Sequence, residues 1–562
     1  MAESRNVGRS PSVTWAGVAP PQRAHPDGAG PRPSQAVARQ LGALADLLGA
    51  SVVSADPEAG SVLVSGVSAS STQVRPGDLF AALPGASRHG LAFLDQALAA
   101  GAVAVFTDPA GAAQLVGFAT PALVVDDPRT ALGPLAAEVY GHPSASLPVY
   151  GVTGTSGKTT TTFLVRAGLA AAGRRTGLIG TVGVFLDAET VKTPFTTPEA
   201  PQLQALLAVM AERGLDSVAM EVSSHALRLG RVDGTEFAVA AFTNLSQDHL
   251  DFHADMEDYF QAKSLLFDGR ARREVVVVDD DWGRRLVRPA TVTVSTRDPA
   301  ADWHAGDVRV LADGSTQFTV HGPGTDFEAG CRIPGAYNIA NALLAFAILA
   351  EAGVEAAAVA PAVAAAQVRG RMERVDGDQP FLVVVDYSHK PAGVAGALQA
   401  LRALTTGRLI VVLGCGGDRD RGKRAVMGEV AATGADVLIV TDDNPRSEPP
   451  AEIRAAMLAG TRSVPADRRA TVLEEGDRRT AIERAVALAR PGDTVLIAGK
   501  GHETGQEVGG TVLAFDDVEV ARAALAGQGY RHREPGHPVT GGADSGMEPD
   551  TAPDTAFGAG RL

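Results

Sequence analysis

The sequence predicts an α/β protein of three domains, and three observations carry that expectation. Apolar runs of strand length alternate with helix-length segments along most of the chain. One such run enters a Gly-rich loop that opens a helical pattern. In the last third, the Val/Ile/Leu runs are continuous instead of alternating with polar residues, the pattern of a parallel sheet covered on both faces. The length agrees, since 562 residues suffice for about three to four domains.

Residues 1–35 are rich in Pro, Gly and Ser, with six prolines in the first forty positions, and residues 531–562 are rich in Pro, Gly and Asp. Both are expected to be disordered tails, because neither can bury enough apolar surface to offset its chain entropy. The first domain is expected over residues 36–146, with strand-like runs at 61–67, 102–107 and 122–125 and helical patterns at 91–100 and 129–140. The second, over 147–373, opens with the apolar run 147–152 and continues through strand-like runs at 217–222, 239–244 and 274–279. Within it, 308–320 has period-two stretches around Asp313-Gly314, a hairpin signal.

The third domain is expected over 374–530, with strands at 381–385, 409–413, 437–440 and 494–498 joined by helix-length stretches. Each strand is followed by a polar or Gly-rich loop. They are Asp386-Tyr387-Ser388-His389, Gly414-Cys415-Gly416-Gly417-Asp418-Arg419, Asp442-Asp443-Asn444-Pro445-Arg446 and Gly499-Lys500-Gly501-His502-Glu503. Ligands of open α/β sheets bind beyond the carboxyl ends of the strands, so four such loops at one sheet edge amount to a site.

Composition narrows the functional classes. Sixty-five acidic residues against fifty basic ones leave −15, which argues against nucleic acid or an anionic membrane surface as partner. No uninterrupted apolar stretch reaches the roughly 18 residues of a membrane span, and no apolar leader precedes a small-residue cleavage site. Two cysteines, Cys331 and Cys415, make no disulfide framework and fit a reducing compartment. The expectation from these features is a soluble, cytoplasmic protein.

The strongest motif is Gly151-Val152-Thr153-Gly154-Thr155-Ser156-Gly157-Lys158-Thr159-Thr160. Glycines let backbone N–H groups close around phosphate, and the following helix adds its positive end. Lys158 would reach the outer phosphates, and the Thr159 hydroxyl would sit on Mg²⁺. ATPase, kinase, GTPase-type switch and ligase all remain open on these residues alone. Beside the loop, Met220-Glu221-Val222-Ser223-Ser224-His225 ends one strand. The next ends in Thr243-Asn244-Leu245-Ser246-Gln247-Asp248-His249-Leu250-Asp251-Phe252-His253. A Glu and a His at adjacent strand ends suit a divalent ion or a polarised water.

With these segments the chain resembles the Mur ligase family, the ATP-dependent amino-acid-adding enzymes of peptidoglycan precursor synthesis. The resemblance covers about residues 60–525 and adds Thr196-Thr197-Pro198-Glu199, Ala262-Lys263, the segments 335–341 and 414–424, and Gly370-Arg371-Met372-Glu373 to the motifs above. It implies an N-terminal α/β UDP-binding domain, a central P-loop ATPase-type domain and a C-terminal Rossmann-like, doubly wound domain. Within the family the chain is similar to the members that add 2,6-diaminopimelate to UDP-N-acetylmuramoyl-L-Ala-D-Glu. The D-glutamate side-chain carboxylate would take the γ-phosphoryl group of ATP, and the amine of diaminopimelate would displace phosphate from the acyl phosphate.

The resemblance also implies roles. Gly154, Thr155, Ser156, Gly157, Lys158, Thr159 and Thr160 would bind ATP with Asn338, Arg371, Asp386 and His389. Lys158, Glu221, His249 and Lys263 would be catalytic, with Mg²⁺ held by Thr159 and Glu221 and a second ion by His249 and Lys263, the latter as a CO₂-derived carbamate. Ser71, Thr196, Thr197, Ser223 and Arg231 would hold the UDP-dipeptide. Arg419, Asp443, Asn444, Pro445, Arg446, Gly499 and Glu503 would hold diaminopimelate, because an arginine fork suits its additional carboxylate.

The chain departs from the family pattern in three places. Ser70-Ser71-Thr72 stands for the usual Asp-Ser-Arg, Asp386-Tyr387-Ser388-His389-Lys390-Pro391-Ala392 for the commoner Asp-Tyr-Ala-His-Thr-Pro-Asp, and Pro449 for an acidic residue. The alternatives are a lysine-adding version of the same ligase, a folylpolyglutamate-synthase-type ligase and a nucleotide-binding scaffold without catalysis. The segment Val74-Arg75-Pro76-Gly77-Asp78-Leu79-Phe80 favours a UDP-muramoyl ligase over the second, and the intact phosphate and metal positions oppose the third.

Overall fold

Three sheets follow one another along the chain. The computed structural model describes residues 30–531 apart from positions 36, 86–87, 116–118, 188, 192, 194, 251 and 312–313. The N-terminal sheet orders Ser51–Val53, Ala122–Val124, Ala104–Thr107, Asp78–Ala81 and Gly66–Ser68, antiparallel at its first pair and parallel thereafter. Helix Pro128–Val139 starts where the Asp127 carboxylate caps Arg129 and Thr130 N–H, with Pro128 in the first turn. It buries Leu132, Leu135 and Val139 against Leu79 and Phe106. The expected run 61–67 splits in two: Leu63–Val64 pairs with Arg39–Gln40, and only Gly66–Ser68 joins the larger sheet.

Residues 30–35, expected within a disordered tail, are placed by specific contacts. Arg32 pairs with the buried Asp78 carboxylate at 3.1 Å, and Ser34 N–H donates to Glu212 of the central domain at 2.9 Å. Composition reads only how much apolar surface a segment brings, and these residues are held by charge and hydrogen bonds. The rest of both expected tails, 1–29 and 532–562, lies outside the described residues.

The central sheet has eleven strands, in the order Glu189–Val191, Gly183–Leu186, Thr176–Gly180, Ser217–Glu221, Val149–Thr153, Phe237–Phe242, Ala271–Val277, Val292–Ser295, Trp303–Val310, Thr316–Gly322 and Thr325–Cys331. The seven strands from Thr176–Gly180 to Trp303–Val310 are parallel, and both margins are antiparallel. The expected hairpin is present between Trp303–Val310 and Thr316–Gly322. Asp313 of its tip lies outside the described residues. Helix Tyr337–Glu351 is apolar nearly all round and correspondingly buried. Among the described residues no helix is long and apolar enough to cross a membrane.

The C-terminal sheet orders Glu373–Arg374, Leu382–Asp386, Thr494–Ala498, Leu409–Leu413, Val437–Val440 and Thr471–Glu474, parallel except at the first pair. Successive residues of one strand serve two cores. Val411 and Leu413 pack with Leu398 and Met427, while Ile410 and Val412 pack with Ile482 and Val518. Helices therefore cover both faces, the doubly wound arrangement the continuous apolar runs predict. The sequence reading missed the strand Thr471–Glu474, whose side chains are half-exposed and not apolar throughout, and the small hairpin of Gly505–Val508 with Thr511–Ala514.

Candidate active site

The phosphate-type loop leaves the middle of the central sheet. Val149–Thr153 lies between Ser217–Glu221 and Phe237–Phe242, with Glu221 opposite Val152 and Phe242 opposite Thr153. Three strands therefore end side by side, and their loops form one floor. Gly154 has φ +141°, and a Cβ there would lie 1.9 Å from Thr243 Oγ1. Gly157 has φ +90°, and a Cβ there would lie 2.3 Å from Asn341 Oδ1. Only glycine fits either position. The loop then feeds directly into helix Lys158–Ala171.

Glu221 is the most connected group on this floor. It is 1% exposed and accepts from Thr159 Oγ1 at 2.9 Å, Thr181 N at 2.9 Å and Thr181 Oγ1 at 3.1 Å. Lys158 Nζ folds back onto the carbonyls of Gly154 and Thr155, at 2.9 Å each. Burial lowers its pKa, and the nearby Glu221 carboxylate opposes that shift. Lys263, on helix Met256–Ser264, is fully covered and donates to the Gly154 carbonyl at 2.8 Å. Burial first, then the Lys158 charge, hold its pKa well below the ordinary lysine value.

His249 sits in the left-handed region, φ +53°, with Asp248 3.4 Å from its Nε2. Burial lowers its pKa to about 4, so the ring is neutral at pH 7 and free to offer a lone pair. His225 packs edge-on to it with ring centroids 4.9 Å apart and stacks on Phe252 at 4.0 Å. Among the described residues, no three His, Cys, Asp or Glu side chains lie together as a ready-made metal cage. What is present is a carboxylate and a hydroxyl, Glu221 and Thr159, at the mouth of the loop. Mg²⁺ is typically bound in this way, through one or two carboxylates completed by phosphate oxygens and water.

The expected UDP-dipeptide residues form a second group. Thr197 Oγ1 donates to the Glu221 carbonyl at 2.9 Å and accepts from Ser223 N at 3.1 Å. Arg231 Nη1 donates to Thr197 O at 3.3 Å, and Arg231 pairs with Glu199 at 2.8 Å. Thr196 meets Thr181 at 3.1 Å. Ser71 stands apart in the N-terminal domain, its hydroxyl donating to Gln96 Oε1 at 2.8 Å.

Of the expected nucleotide residues beyond the loop, Asn338 is turned inward. Its Nδ2 donates to Pro334 O at 2.8 Å and its Oδ1 accepts from Asn341 at 2.9 Å, so all its partners belong to its own helix entry. Asp386 accepts from Met372 N at 2.8 Å and from Ser388. Arg371 lies over the Tyr387 ring at 4.6 Å. The His389 ring contacts Tyr387 O at 2.8 Å, and burial lowers its pKa to about 4.

At the carboxyl edge of the C-terminal sheet, Asn444, Glu503 and the fully covered Lys500 are knotted together. Asn444 Nδ2 donates to Glu503 Oε2 at 2.8 Å, and Lys500 Nζ donates to Asn444 Oδ1 at 3.0 Å and Glu503 Oε2 at 3.2 Å. A Cβ on Gly499 would lie 2.5 Å from Asp443 Oδ2, so glycine is what lets the two loops touch. Arg446, at φ +54°, pairs with Glu507 at 3.1 Å and donates to Gly417 O at 2.8 Å. Arg446 Nη1 and the Cγ of the exposed Arg419 lie 3.0 Å and 3.8 Å from where a Cβ on Gly416 would stand.

Three participants escaped the sequence reading. Thr181 carries no motif and is found only through its bonds to Glu221. Lys500 lies inside a loop the sequence singles out, yet nothing in a Gly-Lys-Gly string signals a buried ammonium. Glu507 belongs to the unforeseen hairpin.

Comparison with known proteins bears on the whole chain. Residues 63–140 match the Mur ligase family catalytic domain, 152–349 the Mur ligase middle domain, and 370–501 the Mur ligase glutamate ligase domain. A Streptomyces coelicolor protein named UDP-N-acetylmuramoyl-L-alanyl-D-glutamate–2,6-diaminopimelate ligase is 54% identical over 502 residues, covering 88% of this chain and 98% of its own. A protein of that name from Corynebacterium glutamicum is 52% identical over 458 residues, covering 80% and 89% respectively. A solved structure bearing the same name superposes with TM-score 0.64 at 31% identity, covering 88% of this chain and all of that one.

Proposed function

Because the chain belongs to the Mur ligase family of ATP-dependent, amide-bond-forming ligases, we propose that it joins 2,6-diaminopimelate to the D-glutamate side-chain carboxylate of UDP-N-acetylmuramoyl-L-Ala-D-Glu, in peptidoglycan precursor synthesis. One observation carries the reading. The phosphate loop and the arginine-bearing loops stand at the carboxyl edges of two different sheets, and these edges meet where Lys390 reaches Asp248. That boundary would bring an anion-activating site and an amino-acid site together. The enzyme works on small molecules, and we place it in the cytoplasm as a monomer.

In the first step an oxygen of the D-glutamate side-chain carboxylate bonds to the γ-phosphorus, the bridging P–O bond breaks, and ADP leaves. The helix that starts at Lys158 directs free N–H groups at the phosphates, and Lys158 turns from the loop carbonyls to the β- and γ-oxygens. Thr159 and Glu221 would hold Mg²⁺, which when bound offsets the charge that gathers on the phosphates. His249 and a carbamate on Lys263 would hold a second ion. An uncharged amine is what reacts with CO₂: its lone pair forms the N–C bond, one proton leaves, and two oxygens replace an ammonium. The depressed pKa of Lys263 supports that role.

In the second step the amine of diaminopimelate attacks the acyl carbon, the C–O bond to phosphate breaks, and a proton leaves the nitrogen. Arg419, Gly499 and Glu503 would grip the amino-acid end that reacts, with Glu503, tied to Asn444 and Lys500, facing its ammonium, while Arg446 would take the remote carboxylate. Phosphate release tests the reading. It should require both the UDP-dipeptide and diaminopimelate together, and release with ATP alone would refute a ligase.

A further inference from the structure

The last three strands of the central sheet line up three side chains that the ligation chemistry does not use. His304 on Trp303–Val310 stands directly opposite His321 on Thr316–Gly322, and His321 directly opposite Asp326 on Thr325–Cys331. Strand side chains alternate between faces, and Trp303, Phe318, Val320 and Ala329 of these same strands fill the core. The row His304, His321, Asp326 therefore lies on the outer face. Trp303–Val310, the nearest of the three strands, is four places along the sheet from Val149–Thr153, which feeds the phosphate loop.

The two rings stack with centroids 4.8 Å apart and planes 22° from parallel. His304 Nδ1–H donates to the Ala301 carbonyl at 3.3 Å, and His321 Nδ1–H donates to Asp326 Oδ1 at 3.0 Å. A carbonyl and a carboxylate only accept, so both neutral rings are held as the same tautomer, each with its lone pair on Nε2. His321 Nε2 lies over Gly306, two positions past His304 on the same face, and a Cβ there would be 2.7 Å from it. Gly306 is not in the left-handed region, so glycine supplies room at that nitrogen and not a turn of the backbone. Glycine inside a strand often marks such a close approach. Mere packing of two rings would need neither the matched tautomers nor the gap.

We propose that His304 and His321 chelate one divalent transition-metal ion through their two Nε2 atoms, with water completing its coordination. Imidazole nitrogen suits Cu²⁺, Ni²⁺ and Zn²⁺, whereas Mg²⁺ takes oxygen. Directly opposed residues of an antiparallel pair have Cβ atoms about 4.5–5.5 Å apart, a separation that an ion with bonds of about 2 Å to each nitrogen spans. Asp326 is the outer partner: through Nδ1–H it orients the His321 ring and makes its Nε2 a stronger ligand. Among the described residues no third His, Cys, Asp or Glu completes a cage here, so the site is an open one. A bound ion ties two strands of the antiparallel margin together. This site stands independently of the ligase reading.

The test uses the full chain without a polyhistidine tag, as wild type, His304→Ala, His321→Ala, the double variant, Asp326→Ala and Asp326→Asn. Calorimetric titration with Ni²⁺ or Cu²⁺, in excess Mg²⁺ to fill oxygen sites, should show a saturable site in wild type, tighter for Cu²⁺, that each histidine variant lacks. Asp326→Ala should weaken it about tenfold, the low end for an outer partner, because this carboxylate is 70% exposed. Asp326→Asn, which still accepts from Nδ1–H, should recover part of that loss. Ni²⁺ should raise the urea midpoint of wild type and leave that of the double variant in place. In wild type labelled with ¹³C-histidine, substoichiometric Cu²⁺ should broaden the ring signals of His304 and His321 before those of the other histidines. Equal titration curves for wild type and the double variant would overturn the site, as would broadening that begins at other histidines. The broadening experiment is made on wild type and needs one folded variant for assignment, so a variant that fails to fold does not shield the proposal.

Discussion

Lys263 Nζ donates to the carbonyl oxygen of Gly154 at 2.8 Å, which places a buried amine against the first glycine of the phosphate loop. A carbamate formed there would present its oxygens beside the bound phosphates. With ¹³C-labelled bicarbonate, the wild type should show a carbamate carbon resonance that Lys263→Ala lacks. Ligation by Lys263→Ala should be nearly absent and partly restored by a small carboxylic acid that can occupy the vacated space. Full activity in Lys263→Arg would remove the metal-bridging role.

Lys158 Nζ donates to two loop carbonyls, at 2.9 Å each. Lys158→Ala should cut kcat at least about 100-fold, the scale of one preorganised electrostatic contact to a developing charge. Single-turnover measurement of ADP formation would check it, and near-normal turnover would contradict the assignment of the loop.

Arg446 is aimed by Glu507 at 3.1 Å and by the Gly417 carbonyl at 2.8 Å. Wild type should use diaminopimelate far better than L-lysine, which lacks the second carboxylate. Arg446→Ala should raise KM for diaminopimelate about 10- to 100-fold, the worth of one charge-assisted contact of about 1.5–3 kcal/mol. The lysine KM should scarcely move. Equal use of both amino acids by wild type would exclude the diaminopimelate reading while leaving the ligase reading intact.

Arg478 and Asp517 form an ion pair with both side chains 0% exposed, and Arg478 also donates to the Ala498 carbonyl at 3.0 Å. Asp517→Ala would strand a guanidinium inside the C-terminal domain at a cost of about 3–5 kcal/mol. The transition of that domain should fall to lower denaturant in urea titration, whereas a double change to apolar residues of similar volume should recover much of the loss.

Acid should destabilise the same domain through two histidines. Burial lowers the pKa of His389 to about 4 and that of His502 to about 3, below the ordinary 6.5. Between those values the unfolded chain binds protons that the folded one refuses, so stability falls as pH drops from 6.5 toward 4. The slope is at most about 1.4 kcal/mol per pH unit for each histidine. Melting temperatures across that range should decline less steeply in His389→Gln than in wild type. A parallel decline would show that His389 is not held neutral by its surroundings.

Most of the sheet framework was legible because its strands are buried on both faces and read as unbroken apolar runs, as at Leu409–Leu413 and Thr494–Ala498. Thr471–Glu474 was not, since an edge strand with half-exposed side chains carries no such run. The phosphate loop was legible because its geometry demands glycine and its chemistry demands lysine and threonine at fixed spacing. Lys263, Thr196 and Thr197 could be singled out only by resemblance. Their significance lies in long-range contacts, Lys263 to Gly154 and Thr197 to the Glu221 carbonyl, which no local pattern encodes. Asn338, which only the resemblance implies as a nucleotide contact, donates to Pro334 O and accepts from Asn341.

The strand Thr494–Ala498 lies between Leu382–Asp386 and Leu409–Leu413, although it follows both by some eighty residues or more. The two earlier strands cannot zip together directly, since their place of contact is reserved for the last strand of that sheet to be synthesised. Until then each shows an open edge of unpaired backbone. Folding of the C-terminal domain thus waits for synthesis of that strand and is dominated by contacts distant in sequence, which slows it. The loop holding Gly499 and Glu503 follows directly on that last strand, so a molecule interrupted before it would keep an intact phosphate loop and have nowhere to seat the amino acid.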